Sequence, residues 1–269
     1  MAELSISETT TFRWSFEEDV LGYSVAGIPA IGVWRHKLSD CGPAKARDLI
    51  QRNGLKASHL FWAGGFTGGD GCSCRESIED AREAIRAAAA LKCPTLIVYS
   101  GSRAGHTFNH ARRLAKAALA ELAPFAAEQD VTLAIEPMHP GCAGEWTFLH
   151  TIDDVMELLE SVSHPRLKMV LDTYHLGLDG GLAERIPQIA SSIALVQLGD
   201  ARRPPEHEQN RCRLGAGIVP LGEIVAALKK CGYDGFYDVE LFGEEFETED
   251  YCALLEHAKE AFRELVDRL

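Results

Sequence analysis

The stretch Thr132-Leu-Ala-Ile-Glu-Pro-Met-His139 joins an apolar, partly β-branched run to a carboxylate and then a proline. A short apolar run of this kind reads as a buried strand, and proline ends it because it has no N–H to give the ladder. Three later stretches repeat the pattern of an apolar run closed by a polar side chain: Leu167 to Asp172, Ile193 to Gln197 and Phe236 to Glu240. Ends of this kind in series point to neighbouring strands that deliver oxygen atoms to one place.

Outward from that stretch the chain alternates. Thr9–Trp14 reads as a first strand, Ala30–Trp34 as the second, Lys56–Trp62 as the third and Thr95–Gly101 as the fourth. Thr132–Met138 is the fifth, followed by Leu167–Thr173, Ile193–Leu198 and Gly235–Phe242. Helical patterns separate them. One starts at Ser15, with Glu17, Glu18 and Asp19 in its first turn; others cover Pro43–Asn53, Glu76–Leu91, His106–Gln129 (interrupted at Pro124) and His150–Val162. The rest are Leu182–Ala190, Leu221–Cys231 and Thr248–Leu269, the last with Thr248 as N-cap. Such alternation implies a parallel sheet, and eight units imply closure, so the expected fold is a single (β/α)8 barrel over residues 1–269. The alternative, an open doubly wound sheet, lacks its glycine fingerprint in the first strand-to-helix turn, Trp14-Ser-Phe-Glu. The glycine-rich loop Ala63–Gly71 has neither a Walker lysine nor GxGxxG spacing, so it reads as a wall or lid over a pocket.

A net charge of −13 repels phosphate backbones and anionic membrane surfaces, which argues against nucleic-acid and membrane partners. No apolar run approaches membrane-spanning length, and the opening Met-Ala-Glu-Leu-Ser has no signal-peptide pattern. The eight cysteines show no zinc-finger or ribbon spacing and read as reduced thiols of a cytoplasmic protein. Oligomeric state is open; a homo-oligomer is compatible with the sequence.

In a barrel of this kind the loops after the carboxyl ends of the strands build the active site. Glu136, Asp172, Gln197 and Glu240 each stand at such an end. Adjacent strands lie about 4.8 Å apart, so inward-pointing side chains at consecutive ends can meet on one ion. Four oxygen donors, three of them anionic, suit one hard divalent cation such as Mn²⁺ or Mg²⁺. A lone acid at a strand end is more often a helix cap or a solvated loop residue; it is the set at equivalent positions that specifies a site.

The motifs Ala-Ile-Glu136-Pro, Leu-Asp172-Thr-Tyr-His175, Val-Gln197-Leu-Gly-Asp200 and Asp-Val-Glu240-Leu resemble those of the xylose-isomerase-like TIM-barrel superfamily. Arg213-Leu-Gly-Ala-Gly217 resembles its GxG turn, and Cys231-Gly-Tyr-Asp-Gly235 the entry to its last strand. The resemblance covers about Leu133 to Phe242 well and the first half only through the general strand–helix pattern. That superfamily holds sugar isomerases and epimerases such as tagatose and psicose epimerases, hydroxypyruvate isomerase, inosose-processing enzymes, dehydroshikimate dehydratases and endonuclease IV. The resemblance implies metal ligation by Glu136, Asp172, Gln197 and Glu240, with Glu136 and Glu240 as the proton-transfer pair flanking a sugar. The implied reaction is isomerisation or epimerisation of a keto or aldo sugar through a metal-stabilised enediolate. A lyase or dehydratase on a keto-sugar, inosose or dehydroshikimate-type ring is the alternative. A non-catalytic sugar-binding barrel and an abasic-site endonuclease rank lower. Many members carry histidine where this chain has Gln197; the substitution and the acidic charge both argue against the endonuclease. His175, three residues after Asp172, is expected to hydrogen-bond a substrate hydroxyl. Arg203, His139 and Glu145 are candidate substrate contacts, and Trp34 and Trp62 either stack on the sugar or close the top of the barrel.

Overall fold

The computed structural model describes residues 2–69, 71–207 and 209–267. Eight parallel strands pair in sequence order and close on themselves: β1 (Glu3–Ser7), β2 (Ala30–Trp34), β3 (Lys56–Gly64), β4 (Thr95–Tyr99), β5 (Thr132–Ile135), β6 (Leu167–Asp172), β7 (Ile193–Leu198) and β8 (Phe236–Val239). β1 completes the ring by pairing with both β2 and β8. Helices fill the connections, so the architecture is the expected (β/α)8 barrel. Among the described residues no helix is long and apolar enough to cross a membrane.

The period-two alternation of strands sorts the side chains. On β8, Tyr237 faces out and meets Phe262 of the last helix with ring centroids 5.8 Å apart. Inside the barrel, Ile97, Ala134, Val170 and Leu195 form a small apolar cluster separate from the main core between strands and helices. Phe61, Trp62 and Phe236 pack against this cluster, and polar side chains also enter the interior. Ser5 Oγ lies 2.6 Å from Ser58 Oγ, and His59 Nδ1 lies 3.9 Å from Asp238 Oδ1. Gly32 makes room for this group, since a Cβ there would stand 2.2 Å from His59 Cε1 and 2.9 Å from Asp238 Oδ1.

Helix starts follow local chemistry. Ser15, Ser73 and Thr151 each accept from the backbone N–H three residues on and donate their own backbone N–H to the carboxylate of that residue, completing a capping box. Several element ends fall a few residues from the expected ones, and three differences from the sequence expectation have a clear local cause. The first strand is Glu3–Ser7, whereas 9–14 forms turns in which Thr10 N donates to Ser7 O and Trp14 N to Thr11 O. The threonines that suggested a strand spend their hydroxyls elsewhere, on Glu240, Val239 O and Asp19. Trp14 therefore closes no strand; it packs edge-on against Tyr251. Pro124 does not interrupt its helix, which runs from Phe108 to Glu128 with Leu122, Ala123 and Ala126 buried around the proline. The last helix begins at Tyr251, not at Thr248, because Asp250 Oδ1 takes the Cys252 N–H at 2.9 Å and acts as the cap. Its expected end at Leu269 lies outside the described residues.

Candidate active site

Four strand ends supply the polar side chains. Glu136 directly follows β5, and its N–H donates to Val98 O at 3.2 Å. Asp172 ends β6 in register with Gln197 of β7. Glu240 directly follows β8 and donates its N–H to Leu198 O at 3.1 Å. All four are buried, with relative exposures of 2, 0, 0 and 5 % respectively. Water cannot solvate charge there, so each group needs a partner or a proton.

The partners are unevenly shared. Glu240 Oε2 accepts from Gln197 Nε2 at 2.8 Å, and its Oε1 accepts from Thr9 Oγ1 at 3.1 Å. Asp172 accepts the Tyr174 N–H at 2.7 Å and two nitrogens of Arg211 at 3.2 and 2.8 Å. Arg211 Nη2 also reaches Glu240 Oε2 at 3.1 Å. Glu136 Oε2, Gln197 Oε1 and His175 Nε2 are buried without any hydrogen-bond partner.

Burial pushes Glu136 well above the usual carboxylate range, and the charges of Asp172 and Glu240 push it further. Glu240 is raised mainly by burial, against the pull of Arg211. For Asp172 burial again acts upward, but the charge and hydrogen bonds of Arg211 overcome it and hold the carboxyl below its ordinary value. Burial also pushes His175 down to about 3, so its imidazole is neutral.

A divalent cation fits this donor set. Ligand atoms of Glu136, Asp172 and His175 lie within 4.8 Å of one another, and the unpartnered oxygens of Glu136 and Gln197 are what a hard cation requires. His175 is the weakest of these donors. The His139 N–H donates to its Nδ1 at 3.3 Å, so the neutral ring carries its proton on Nε2 and presents a donor there. It would serve as a ligand only by giving up that bond. Three carboxylates and one guanidinium leave a formal charge of −2 (−3 + 1), which one divalent ion balances.

A cavity of about 900 Å³ lies next to the site; its lining includes Phe12, Cys142, Trp146 and Phe242. None of the four strand-end side chains is part of this lining; the link between the two is Cys142, whose Sγ is 3.9 Å from His175 Nδ1. Glu145 lines the cavity. Trp62 stands behind the cavity wall, its ring 5.2 Å from that of Trp146. Trp34 lies at the end of β2, where its N–H donates to Glu8 Oε2 and its ring leans on His36. His139 reaches the site through its backbone, while its Nδ1 accepts the Gly141 N–H. Arg203 is exposed beside a smaller pocket that it shares with Arg202 and Glu245.

Sequence reasoning missed Arg211, one of the most buried side chains in the protein. Its position depends on a loop that folds back on β7. Asp200 collects the N–H groups of Gly215, Gly217 and Val219, and Cys212 N donates to Asp200 O. The Gly215-Ala-Gly217 turn was the available signal, because a loop tied there returns position 211 to the barrel mouth.

Residues 21–269 match the family model described as xylose isomerase-like TIM barrel, and the chain belongs to that family. It is similar to an L-ribulose 3-epimerase of Methylomonas sp. (strain DH-1), 25% identical over 83% of this chain and 76% of that protein. It is also similar to an inosose isomerase of Halalkalibacterium halodurans, 23% identical over 92% of this chain and 88% of that one. Among solved structures, protein SMc04130 of Sinorhizobium meliloti 1021 superposes with a TM-score of 0.90 at 27% identity, covering 97% of this chain and 98% of that one. An IOLI protein with a bound zinc atom has the same fold at 20% identity, with a TM-score of 0.86 over 99% and 98% of the two chains.

Proposed function

We propose that this chain is a sugar isomerase or epimerase that uses one divalent cation, Mn²⁺ or Mg²⁺, held by Glu136, Asp172, Gln197 and Glu240. The observation that carries the reading is a pair of buried carboxyls, Glu136 and Glu240, both raised above the ordinary range on either side of the Asp172–Gln197 edge. A bound cation would supply Lewis-acid polarisation of a substrate carbonyl. The chain's own residues do the rest. A carboxyl whose affinity for protons is raised is a better base toward a carbon acid next to that carbonyl, and a better acid on return. Glu136 and Glu240 remove the proton and give it back. His175, neutral with its proton on Nε2, donates to a substrate hydroxyl.

The cavity fits an uncharged sugar. Glu145, Glu244 and Glu247 line it together with Phe12, Trp146 and Phe242. Carboxylates repel a phosphorylated substrate, and aromatic faces suit the apolar side of a sugar ring. The related L-ribulose 3-epimerase, D-psicose 3-epimerase and inosose isomerases support the same substrate class.

The test is solvent exchange. The Mn²⁺-loaded protein is incubated in D₂O with ketopentoses, ketohexoses and inososes, and the carbon next to the carbonyl is read by NMR. Deuterium at that carbon without loss of water is the expected result. No exchange across the panel with either ion would remove the proposal, and elimination of water would turn it into a lyase.

A further inference from the structure

Arg211 is built into the centre of the site. Its backbone N–H donates to Phe242 O at 3.0 Å, and its guanidinium lies 4.5 Å over the Tyr174 ring. Gly199 is the floor of this cradle: a Cβ there would stand 2.4 Å from Arg211 Nη1 and 2.9 Å from Tyr174 Cβ. Gln209 Oε1 accepts from Nη2 at 3.2 Å. The one nitrogen Nη2 is shared by Asp172 Oδ2 at 2.8 Å and Glu240 Oε2 at 3.1 Å, two of the four expected metal ligands.

The donors therefore fall into two halves. Glu136 Oε2 and Gln197 Oε1 have no partner and are ready for a cation. Asp172 and Glu240 are already bridged by one, since a guanidinium presents several N–H groups in a plane and can hold two carboxylates at once. A cation that takes oxygens of both Asp172 and Glu240 has to loosen that bridge, and it stands close to a fixed positive charge while doing so.

We propose that Arg211 is an internal counter-cation that holds the Asp172–Glu240 pair together in the metal-free protein and sets how tightly a divalent ion binds. It is a positioning residue, acting through the carboxylates. The proposal rests on the metal-dependent reading of the site given above. Two consequences follow from electrostatics. Removing the guanidinium leaves buried carboxylates uncompensated, so the metal-free protein loses stability. The same removal takes away a competitor and a like charge, so a divalent ion binds more tightly and restores what was lost.

Mn²⁺ binding is measured by calorimetry, and thermal unfolding with and without Mn²⁺, for wild type, Arg211→Met and Gly199→Ala. The second variant keeps the arginine but fills its cradle, so it tests the idea if Arg211→Met does not fold. Either variant is expected to bind Mn²⁺ roughly tenfold or more tightly than wild type, to melt lower without metal and to gain more from Mn²⁺. An arginine that only props up the loop would lower both melting curves alike and leave affinity unchanged or weaker; that result overturns the proposal. If wild type binds no Mn²⁺ at all, the metal reading itself fails and takes this inference with it, which separates the two failures.

Discussion

His175 Nε2 stands 3.9 Å from Glu136 Oε1 and 4.0 Å from Asp172 Oδ2, buried and without a hydrogen-bond partner. The ring cannot answer those carboxyls by becoming charged, because burial holds its pKa near 3. A neutral imidazole and a carboxyl raised well above its usual range thus face each other across a gap too long for a direct bond. The space between them is where a ligand atom would find both a donor and a base.

Glu136→Gln keeps the shape and removes the charge. In the metal-free protein it relieves repulsion with Asp172 and Glu240, so Tm is expected to rise by about 2–4 °C, for about 1 kcal/mol. Deuterium exchange into substrate is expected to vanish in the same variant. Calorimetric melting and NMR exchange check both. A variant that exchanges at the wild-type rate removes Glu136 from proton transfer.

A second buried network contributes to the pH dependence of stability. Lys37 Nζ pairs with Asp19 and donates to the backbone oxygens of Glu8 and Thr11. Glu8 is raised well above its ordinary 4.5 by burial and then by the charge of Asp19, and Asp19 is raised to about 6 by burial despite Lys37. Both carboxyls therefore hold protons in the folded chain that the unfolded chain releases. Their contribution is full below the unfolded value and is lost as pH rises through the folded one. Wild-type Tm is expected to fall from about pH 5 toward pH 8, and Glu8→Gln, which keeps a donor and an acceptor, to flatten the slope. Equal slopes in the two proteins would show that Glu8 does not carry the proton.

Much of the barrel was legible because parallel strands buried on both faces are written as continuous apolar runs. β5 to β8 were found with their polar ends in place, since Glu136, Asp172, Gln197 and Glu240 each interrupt such a run. β1 was misplaced because its serines face the barrel interior and dilute the signal, while Thr9, Thr10 and Thr11 carry strand-like chemistry in a turn. Arg211, Glu8 and Lys37 were not legible in the same way. Charged residues in loops and on short helices look solvated in a sequence, and only the tertiary fold brings each to its partner.

Lys37→Met tests the same network from its other side. The loss leaves Asp19 buried without its cation, which costs roughly 3–5 kcal/mol when one partner of such a pair is removed. Asp19→Asn in the same chain is expected to recover most of it, because the remaining groups are neutral and can still hydrogen-bond to Thr11. Urea unfolding of the single and double variants reads the difference, and a double variant no more stable than Lys37→Met would contradict the assignment.

Gln197→His addresses the one neutral side chain among the four strand-end groups. In the wild type the amide does two things at once: Nε2 donates to Glu240 Oε2 at 2.8 Å, and Oε1 is left buried and unpartnered. An imidazole can ligate through one nitrogen, but it does not reproduce the amide's paired donor and acceptor. Glu240 loses a hydrogen bond, and at the proposed metal site a nitrogen donor would replace an oxygen. Imidazole favours zinc and later transition ions, whereas an all-oxygen set suits magnesium and manganese. The histidine variant is therefore expected to shift competition between Zn²⁺ and Mn²⁺ toward zinc by roughly tenfold or more, with Mn²⁺-supported exchange reduced. Competition calorimetry measures the ratio. An unchanged ratio would mean that position 197 does not touch the metal and that its role is confined to holding Glu240.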